Sequence, residues 1–185
     1  SKDRRLGLMQ LVARYLGSES KTEVSVEQMH EILRPELTSQ EREILEAYVR
    51  DFIACSLLTR EKDNYRFSHQ SFLEYLLARE VINEIQHDKP YFMRRAQMPQ
   101  AVREFVIEIC AEANVKWRPT LLSWVRLERS DSDGVFSRLG GNAVTLLRYL
   151  NDPLAELDLS GSVLLGADFS GAVFKGIRME GALLS

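Results

Sequence analysis

The residue types that most often carry out chemistry are few in this chain. Its three histidines and two cysteines show no pair with the spacing of metal ligands. A phosphate-binding loop needs glycines before its Lys-Ser/Thr pair, but the one such pair, Lys21-Thr22, follows Ser20, and Tyr15 takes the earlier glycine position. No serine lies in a nucleophile-elbow motif. The sequence therefore predicts a non-catalytic segment with no metal or cofactor of its own.

The most informative string of side chains surrounds His69. It is Tyr65-x-Phe67-x-His69-x-Ser71-Phe72-x-Glu74-Tyr75-x-x-Ala78. From position alone, His69 is predicted to cap a helix or to pack behind a hairpin. Ser71 and Glu74 have capping-box spacing and are predicted to be structural. The aromatic residues of the string are predicted to lie in the core, and these are Phe67, Phe72 and Tyr75. The other histidines, His30 and His87, are predicted to be solvated.

Helices and a hairpin must position this string. Ser25-x-x-Gln28 and Thr38-x-x-Glu41 are capping boxes, which predict one helix to about Leu33 and a second from Thr38 to Ala54. The second helix has apolar residues repeating every four, at Ile44, Leu45, Tyr48, Val49, Phe52 and Ile53. Two short apolar runs around a polar turn then predict a β-hairpin, and an apolar helix from Phe72 to Ile85 follows. Helix, helix and hairpin is the order of a winged helix.

The middle of the chain is predicted to be helical. Residues 90–150 contain three candidate helices, of which one carries an apolar stripe at Val102, Val106 and Cys110. The last begins near Gly140-Gly141-Asn142-Ala143. Asp152-Pro153 ends the helical region.

The last thirty or so residues carry an internal repeat. Glycine recurs every five residues at Gly161, Gly166, Gly171, Gly176 and Gly181. A period of five fits neither a helix nor a strand, so it implies a turn in every repeat and a solenoid overall. Two residues before the glycines are the large inward candidates Leu159, Leu164, Phe169, Phe174 and Met179, with Leu184 next.

This stretch, LDLSG SVLLG ADFSG AVFKG IRMEG ALLS, resembles the pentapeptide-repeat proteins. The resemblance implies a right-handed, four-sided β-helix. The fold class predicted for the whole chain is therefore mainly α with a small β-hairpin wing, followed by a short pentapeptide β-helix. The predicted domains are a winged helix at 1–88, a helical connector at 89–153 and the start of the repeats at 154–185. Since the chain begins in a helix-like stretch and stops within a repeat, we expect a longer protein.

The string around His69, with the preceding Leu57-Leu58, closely resembles the end of the winged-helix domain in NACHT ATPases, a branch of the STAND signalling NTPases. The resemblance covers about residues 5–85. It implies an upstream NACHT domain that binds ATP or ADP with Mg²⁺. In that family the corresponding histidine contacts the β-phosphate of ADP and holds the resting state, and here it is His69.

The resemblance also implies a function. The winged helix would hold the ADP-bound state, and the repeats would sense or bind a partner that shifts the equilibrium. Bacterial relatives suggest a role in signal transduction or defence. The alternative is an interaction scaffold without a nucleotide role.

Charge argues against nucleic acid as a partner. The chain has 24 basic and 27 acidic residues and a net charge of −3. The Thr38–Ala54 helix contains two arginines and four acidic residues, so DNA phosphates would repel it, which disfavours a DNA-binding winged helix. The repeats are only weakly acidic, which disfavours DNA mimicry. Cys55 and Cys110 lie in apolar runs and are predicted to be buried thiols. The sequence shows no membrane span or signal peptide, so the expected location is the cytoplasm.

Overall fold

The computed structural model describes residues 2–54, 57–127, 137–173 and 175–184. The chain divides into two compact units, Ser1–Glu80 and Val81–Ser185. The predicted buried thiol at Cys55 and the inward side chain of Phe174 lie outside the described residues. The three-part division at 88 and 153 stays a prediction.

The first unit has the element order of a winged helix. A helix is followed by a short strand, three α-helices with a 3-10 turn at Arg34–Glu36 after the first of them, and two strands, and a long helix then crosses the unit boundary. In chain order the elements are α1 Lys2–Ser18, β1 Val24–Ser25, α2 Val26–Leu33, α3 Ser39–Glu43, α4 Leu45–Ala54, β2 Leu58–Glu61, β3 Asn64–Phe67 and α5 Gln70–His87.

The predicted hairpin is present and gains a third strand. β2 and β3 pair antiparallel, and the register places Leu58 opposite Phe67, with both side chains buried. Lys62 supplies the left-handed backbone of the tight turn, with φ 58°. β1 pairs with the other edge of β3, which gives the order β1-β3-β2. This strand has only two residues, and no periodicity in the sequence indicated it.

Both predicted capping boxes are formed. The backbone N–H of Gln28 donates to the Ser25 hydroxyl, and the Gln28 side chain accepts from the N–H of Ser25. Thr38 and Glu41 repeat the arrangement at the start of α3. These caps satisfy backbone donors that a free helix end leaves unpaired, which is why the two segments begin where the sequence predicts.

The predicted continuous helix from Thr38 to Ala54 is wrong at one residue. Ile44 has φ −114° and ψ 31°, which ends α3 and separates it from α4. The break shifts the phase of the apolar repeat. As a result Ile44, predicted to face inward, is 59% exposed, whereas Val49 and Phe52 remain in the core.

A buried carboxylate fixes α1 against α5 in the first unit. Glu80 accepts a hydrogen bond from Gln10 Nε2 at 2.9 Å and pairs with the Arg14 guanidinium at 3.4 Å. A buried charge needs such partners because desolvation disfavours it. On α1, Val12 and Leu16 are both fully buried.

Four helices precede the repeats in the described part of the second unit, where three were predicted. They are α6 Phe92–Arg95, α7 Gln100–Ala113, α8 Arg118–Leu127 and α9 Leu139–Tyr149. The unpredicted helix, α6, is a single turn. Its first N–H groups, those of Phe92 and Met93, donate to the buried carboxylate of Glu84 at 2.6 and 3.2 Å. A cap supplied from another helix leaves no local pattern to predict.

The helix α9 carries a buried amide that organises this unit. Asn142 donates to the carbonyls of Met93 and Ala96 at 2.9 and 2.8 Å, and it accepts from the N–H of Met98 at 3.0 Å. Met93 lies in α6, and Ala96 and Met98 lie in the connection between α6 and α7. Asn142 therefore holds this connection against α9.

The repeats turn at their glycines, as predicted. All five glycines of the repeats have φ between 68° and 73°, a left-handed backbone that glycine adopts without strain. The large inward positions Leu159 and Leu164 are fully buried.

Backbone pairing within the repeats joins positions twenty residues apart. Asp158 pairs with Arg178 and Val163 with Leu183, both as parallel bridges. Hydrogen bonds such as that from Leu159 N to Arg178 O, at 2.8 Å, accompany them. The structure assigns no longer strand in the described part of the repeats, so the right-handed β-helix stays a prediction.

Ser162 provides a simple test of the repeat interior. Its hydroxyl is buried and has no hydrogen-bond partner among the described residues. Equivalent positions carry alanine at Ala167, Ala172 and Ala182. Because an unpaired buried hydroxyl is costly, Ser162→Ala should stabilise the unit by about 1 kcal/mol, measured by urea unfolding. A loss of stability would show that the hydroxyl has a partner in solution, and Ser160→Ala in the preceding repeat is the comparison.

Candidate functional site

The hairpin positions His69 at the start of α5. At the end of β3, Ser68 donates to the Leu57 carbonyl through its backbone N–H at 2.8 Å and its hydroxyl at 3.1 Å. These bonds close the base of the hairpin. His69 follows and immediately precedes Gln70, the first residue of the helix. The position predicted for His69, at the N-terminal edge of a helix, is confirmed.

The imidazole of His69 is exposed and oriented by an aromatic neighbour. Its ring lies 5.6 Å from that of Phe72, centroid to centroid, with an angle of 72° between the planes. The backbone carbonyl of His69 accepts a hydrogen bond from the N–H of Phe72 at 3.1 Å. Within the described ranges, the ring makes no hydrogen bond to another side chain or to the backbone. The ring nitrogens are therefore available to a ligand or to another domain.

The first turn of α5 adds donors beside this ring. The first N–H groups of a helix have no partner inside the helix, and the helix dipole makes that end favourable for an anion. Gln70 and Ser71 are both exposed there. An anion near His69 would thus meet an imidazole and backbone donors together.

The expectation that all three aromatic residues of the string lie in the core is wrong for Tyr75, and the capping-box spacing of Ser71 and Glu74 does not produce a capping box. The helix begins at Gln70, so Ser71 lies inside the first turn and does not form a capping box with Glu74. Phe67 is buried and Phe72 half-buried, but Tyr75 is 40% exposed. Phe72 and Tyr75 are three residues apart and share a helix face, so the aromatic side chains continue from the core to the surface next to His69.

An open cleft of the first unit lies elsewhere along the chain. About 480 Å³ in volume, it is lined by Arg4, Arg5, Glu41, Tyr48, Asp51, Phe52 and Ala54. Arg4 pairs with Glu41 at 2.6 Å. The hydrogen bond that the Glu41 carboxylate accepts from the Thr38 backbone N–H lowers the pKa of this carboxyl, and the positive charge of Arg4 lowers it further. Because its lining holds two arginines and two carboxylates, the cleft has no net charge to select a ligand.

The other reactive groups are in ordinary environments. Cys110 is buried, and burial raises the pKa of its thiol to about 11, so it is a poor nucleophile. In the part of the chain that the structure describes, no three His, Cys, Asp or Glu side chains are grouped to hold a metal ion. No helix among the described residues has the length and apolar character needed to cross a membrane.

Two family models match the chain. Residues 1–81 match the winged helix-turn-helix domain C-terminal to NACHT, and residues 154–185 match a family model that describes pentapeptide repeats in eight copies. Neither the curated proteins nor the solved structures provide a match. The chain therefore carries a winged helix of the kind that follows a NACHT domain, and pentapeptide repeats after it.

Proposed function

We propose that this chain, a NACHT-associated winged helix followed by pentapeptide repeats, is a non-catalytic regulatory and sensor segment of a STAND-type signalling ATPase. The winged helix holds the ADP-bound resting state, and the repeats bind or sense a partner. The observation that carries the proposal is the exposed imidazole of His69 at the start of α5, inside a domain that matches the NACHT-associated family.

His69 would act by donating a hydrogen bond to a phosphate of ADP. The Mg²⁺ and the phosphate-binding loop belong to the upstream NACHT domain, since the only Lys-Ser/Thr pair of this chain, Lys21-Thr22, lacks the loop's glycines. The first-turn N–H groups of α5 would stabilise the same negative charge. A contact of this kind closes the domain over ADP and is lost when the domain swings away.

The repeats would supply the trigger. A partner that binds better to one of two states shifts the equilibrium between them, and nucleotide exchange follows. We infer that the repeats form a four-sided β-helix, because their backbone pairs at intervals of four pentapeptides. A solenoid of this type presents flat outer faces for a protein partner, consistent with signalling or bacterial defence.

The test compares nucleotide retention in the full-length protein that includes the NACHT domain. Removing one hydrogen bond to a charged group costs about 1.5–3 kcal/mol, so His69→Ala should release ADP roughly ten- to hundredfold faster. The measurement is the ADP that remains bound after purification, followed by the dissociation rate of a fluorescent analogue. His69→Gln, which keeps a donor, should recover part of the loss.

His87→Ala is the matched control, because His87 is also exposed and lies at the other end of the same helix. It should leave ADP retention unchanged. Equal retention by wild type and His69→Ala would remove His69 from the nucleotide site while leaving the domain family intact. A wild-type protein that binds no nucleotide would overturn the proposal and leave an interaction scaffold.

A further inference from the structure

The helix α9 lies directly against the backbone of the first repeats. An ideal Cβ built on Gly140 would lie 2.3 Å from the carbonyl oxygen of Val163, and one on Gly141 would lie 2.1 Å from that of Leu165. Both distances are far inside van der Waals contact. Glycine at these two positions is therefore required by the approach of the helix to the repeats, and every residue from Leu139 to Leu147 is buried.

Polar bonds fix the position of the repeats on this helix. The Thr145 hydroxyl donates to the Gly141 carbonyl at 2.8 Å and accepts from the N–H of Asp168 at 2.9 Å. Gln97, which precedes α7, donates to the Gly166 carbonyl at 2.9 Å. Two of these bonds satisfy backbone groups of the repeats, the N–H of Asp168 and the carbonyl of Gly166.

The carboxylate of Asp168 gathers the strongest contacts. Its Oδ2 accepts from the Tyr149 hydroxyl at 2.8 Å and pairs with Arg148 at 3.3 Å and Arg103 at 3.8 Å. Both guanidinium groups also stack on the Tyr149 ring, 4.0 and 4.1 Å from its centroid. The three charged side chains are 13 to 29% exposed, so solvent screens them only in part.

The other oxygen of Asp168 belongs to its own repeat. Oδ1 accepts from the N–H of Ser170 at 2.9 Å and from its hydroxyl at 2.6 Å. The Ser170 side chain and backbone, then Tyr149, hold the pKa of this carboxyl well below its usual range. The carboxylate therefore stays charged at any pH near neutrality. One of its oxygens is bound by Ser170 of the same repeat, and the other by side chains of α7 and α9.

A second aspartate at the same repeat position provides the comparison. Asp158 accepts the same turn bond from the N–H of its own Ser160, at 3.1 Å. Its ion pair, however, is with Arg178 of the next coil, at 3.6 Å. Both aspartates accept the turn bond within their own repeat. Asp158 then pairs with the next coil of the repeats, whereas Asp168 pairs with α7 and α9.

A solenoid exposes its first unit unless a cap covers it. We propose that α7 and α9 are the N-terminal cap of the pentapeptide array, and that Asp168 is the latch that makes cap and repeats one cooperative body. The proposal does not depend on the nucleotide role of His69. Its functional consequence is that an event on the repeats is transmitted to α9 as movement of a rigid body.

Amide hydrogen exchange of the 185-residue chain tests the latch. Asp168→Asn keeps the size of the side chain and the turn bond from Ser170 but removes the charge that faces both arginines. Exchange in peptides from α9 and from residues 157–170 should accelerate together, by about tenfold or more, because both open in the same event. Asp158→Asn removes a more exposed ion pair, with side chains 40% and 71% exposed, so it should change exchange by less than about twofold in both parts.

Faster exchange in the repeats of Asp168→Asn, with α9 unaffected, would overturn the proposal because the two parts would then be independent. A second pair of variants tests the contact without changing charge. Gly141→Ala inserts a methyl group into the Leu165 carbonyl and should accelerate exchange in both parts. Gly7→Ala, in α1 with open space around it, should not. No effect of Gly141→Ala on either part would also contradict the cap.

Discussion

Replacing Asn142 with leucine should destabilise the second unit by about 4 kcal/mol, a large share of the 5–15 kcal/mol typical of a folded domain. Leucine has a similar branched shape but leaves two buried carbonyls, of Met93 and Ala96, and the N–H of Met98 without their partner. Asn142→Asp should also be destabilising, since it keeps an acceptor for Met98 but points a second oxygen at the two carbonyls.

Tryptophan fluorescence during urea unfolding measures this effect selectively. Both tryptophans of the chain, Trp117 and Trp124, belong to the second unit, and Trp124 is fully buried with its indole N–H donating to Asp88 at 2.7 Å. Asn83→Leu, at an exposed asparagine of the same unit, is the matched control and should change stability by less than about 0.5 kcal/mol. If Asn142→Leu lowers the free energy of unfolding by less than about 1 kcal/mol, water must satisfy the backbone groups that the amide binds.

The features that could be predicted from sequence are those encoded by neighbouring residues. The two capping boxes join residues three apart, and the repeat glycines mark turns within five residues. The hairpin also has a local signal, since its strands are joined by a two-residue turn. Such features depend on backbone geometry that a short segment determines by itself, so they hold in the folded chain.

The features that were missed depend on partners distant in sequence. β1 exists because Val24 pairs with Tyr65, and α6 exists because Glu84 caps it. The break at Ile44 lies between residues that suit a helix on both sides, so nothing local marks it. β1 and α6 are thus stabilised by contacts that the sequence pattern does not contain.

The candidate site shows the same division. The position of His69 at the start of a helix follows from the hairpin and the apolar run after it. The exposure of Tyr75 does not, because an aromatic residue in an apolar helix is more often buried. The latch at Asp168 was also missed. The aspartate belongs to the repeat pattern, but Arg103 and Tyr149 come from helices whose packing had no signature.

Truncating an inward leucine should have very different effects along the repeats. Leu164 and Leu184 occupy the same position of the repeat, yet Leu164 is fully buried under α9 and Leu184 is 55% exposed. Leu164→Ala should therefore destabilise the second unit by about 3–4 kcal/mol, as expected for a buried leucine that leaves a cavity. Leu184→Ala should cost less than about 0.5 kcal/mol.

The same fluorescence-detected urea unfolding separates two descriptions of the array. If the cap on α9 makes the first coil the stable part of the repeats, the difference between the two variants should be several kcal/mol, and Leu164→Ala should also loosen α9. Similar losses for both would mean that Leu184 is buried in solution, as it would be if a second copy of the chain covered the last coil. Sedimentation of the wild-type chain at two concentrations distinguishes that case, because a monomer leaves Leu184 in water and the unequal losses must then follow from burial alone.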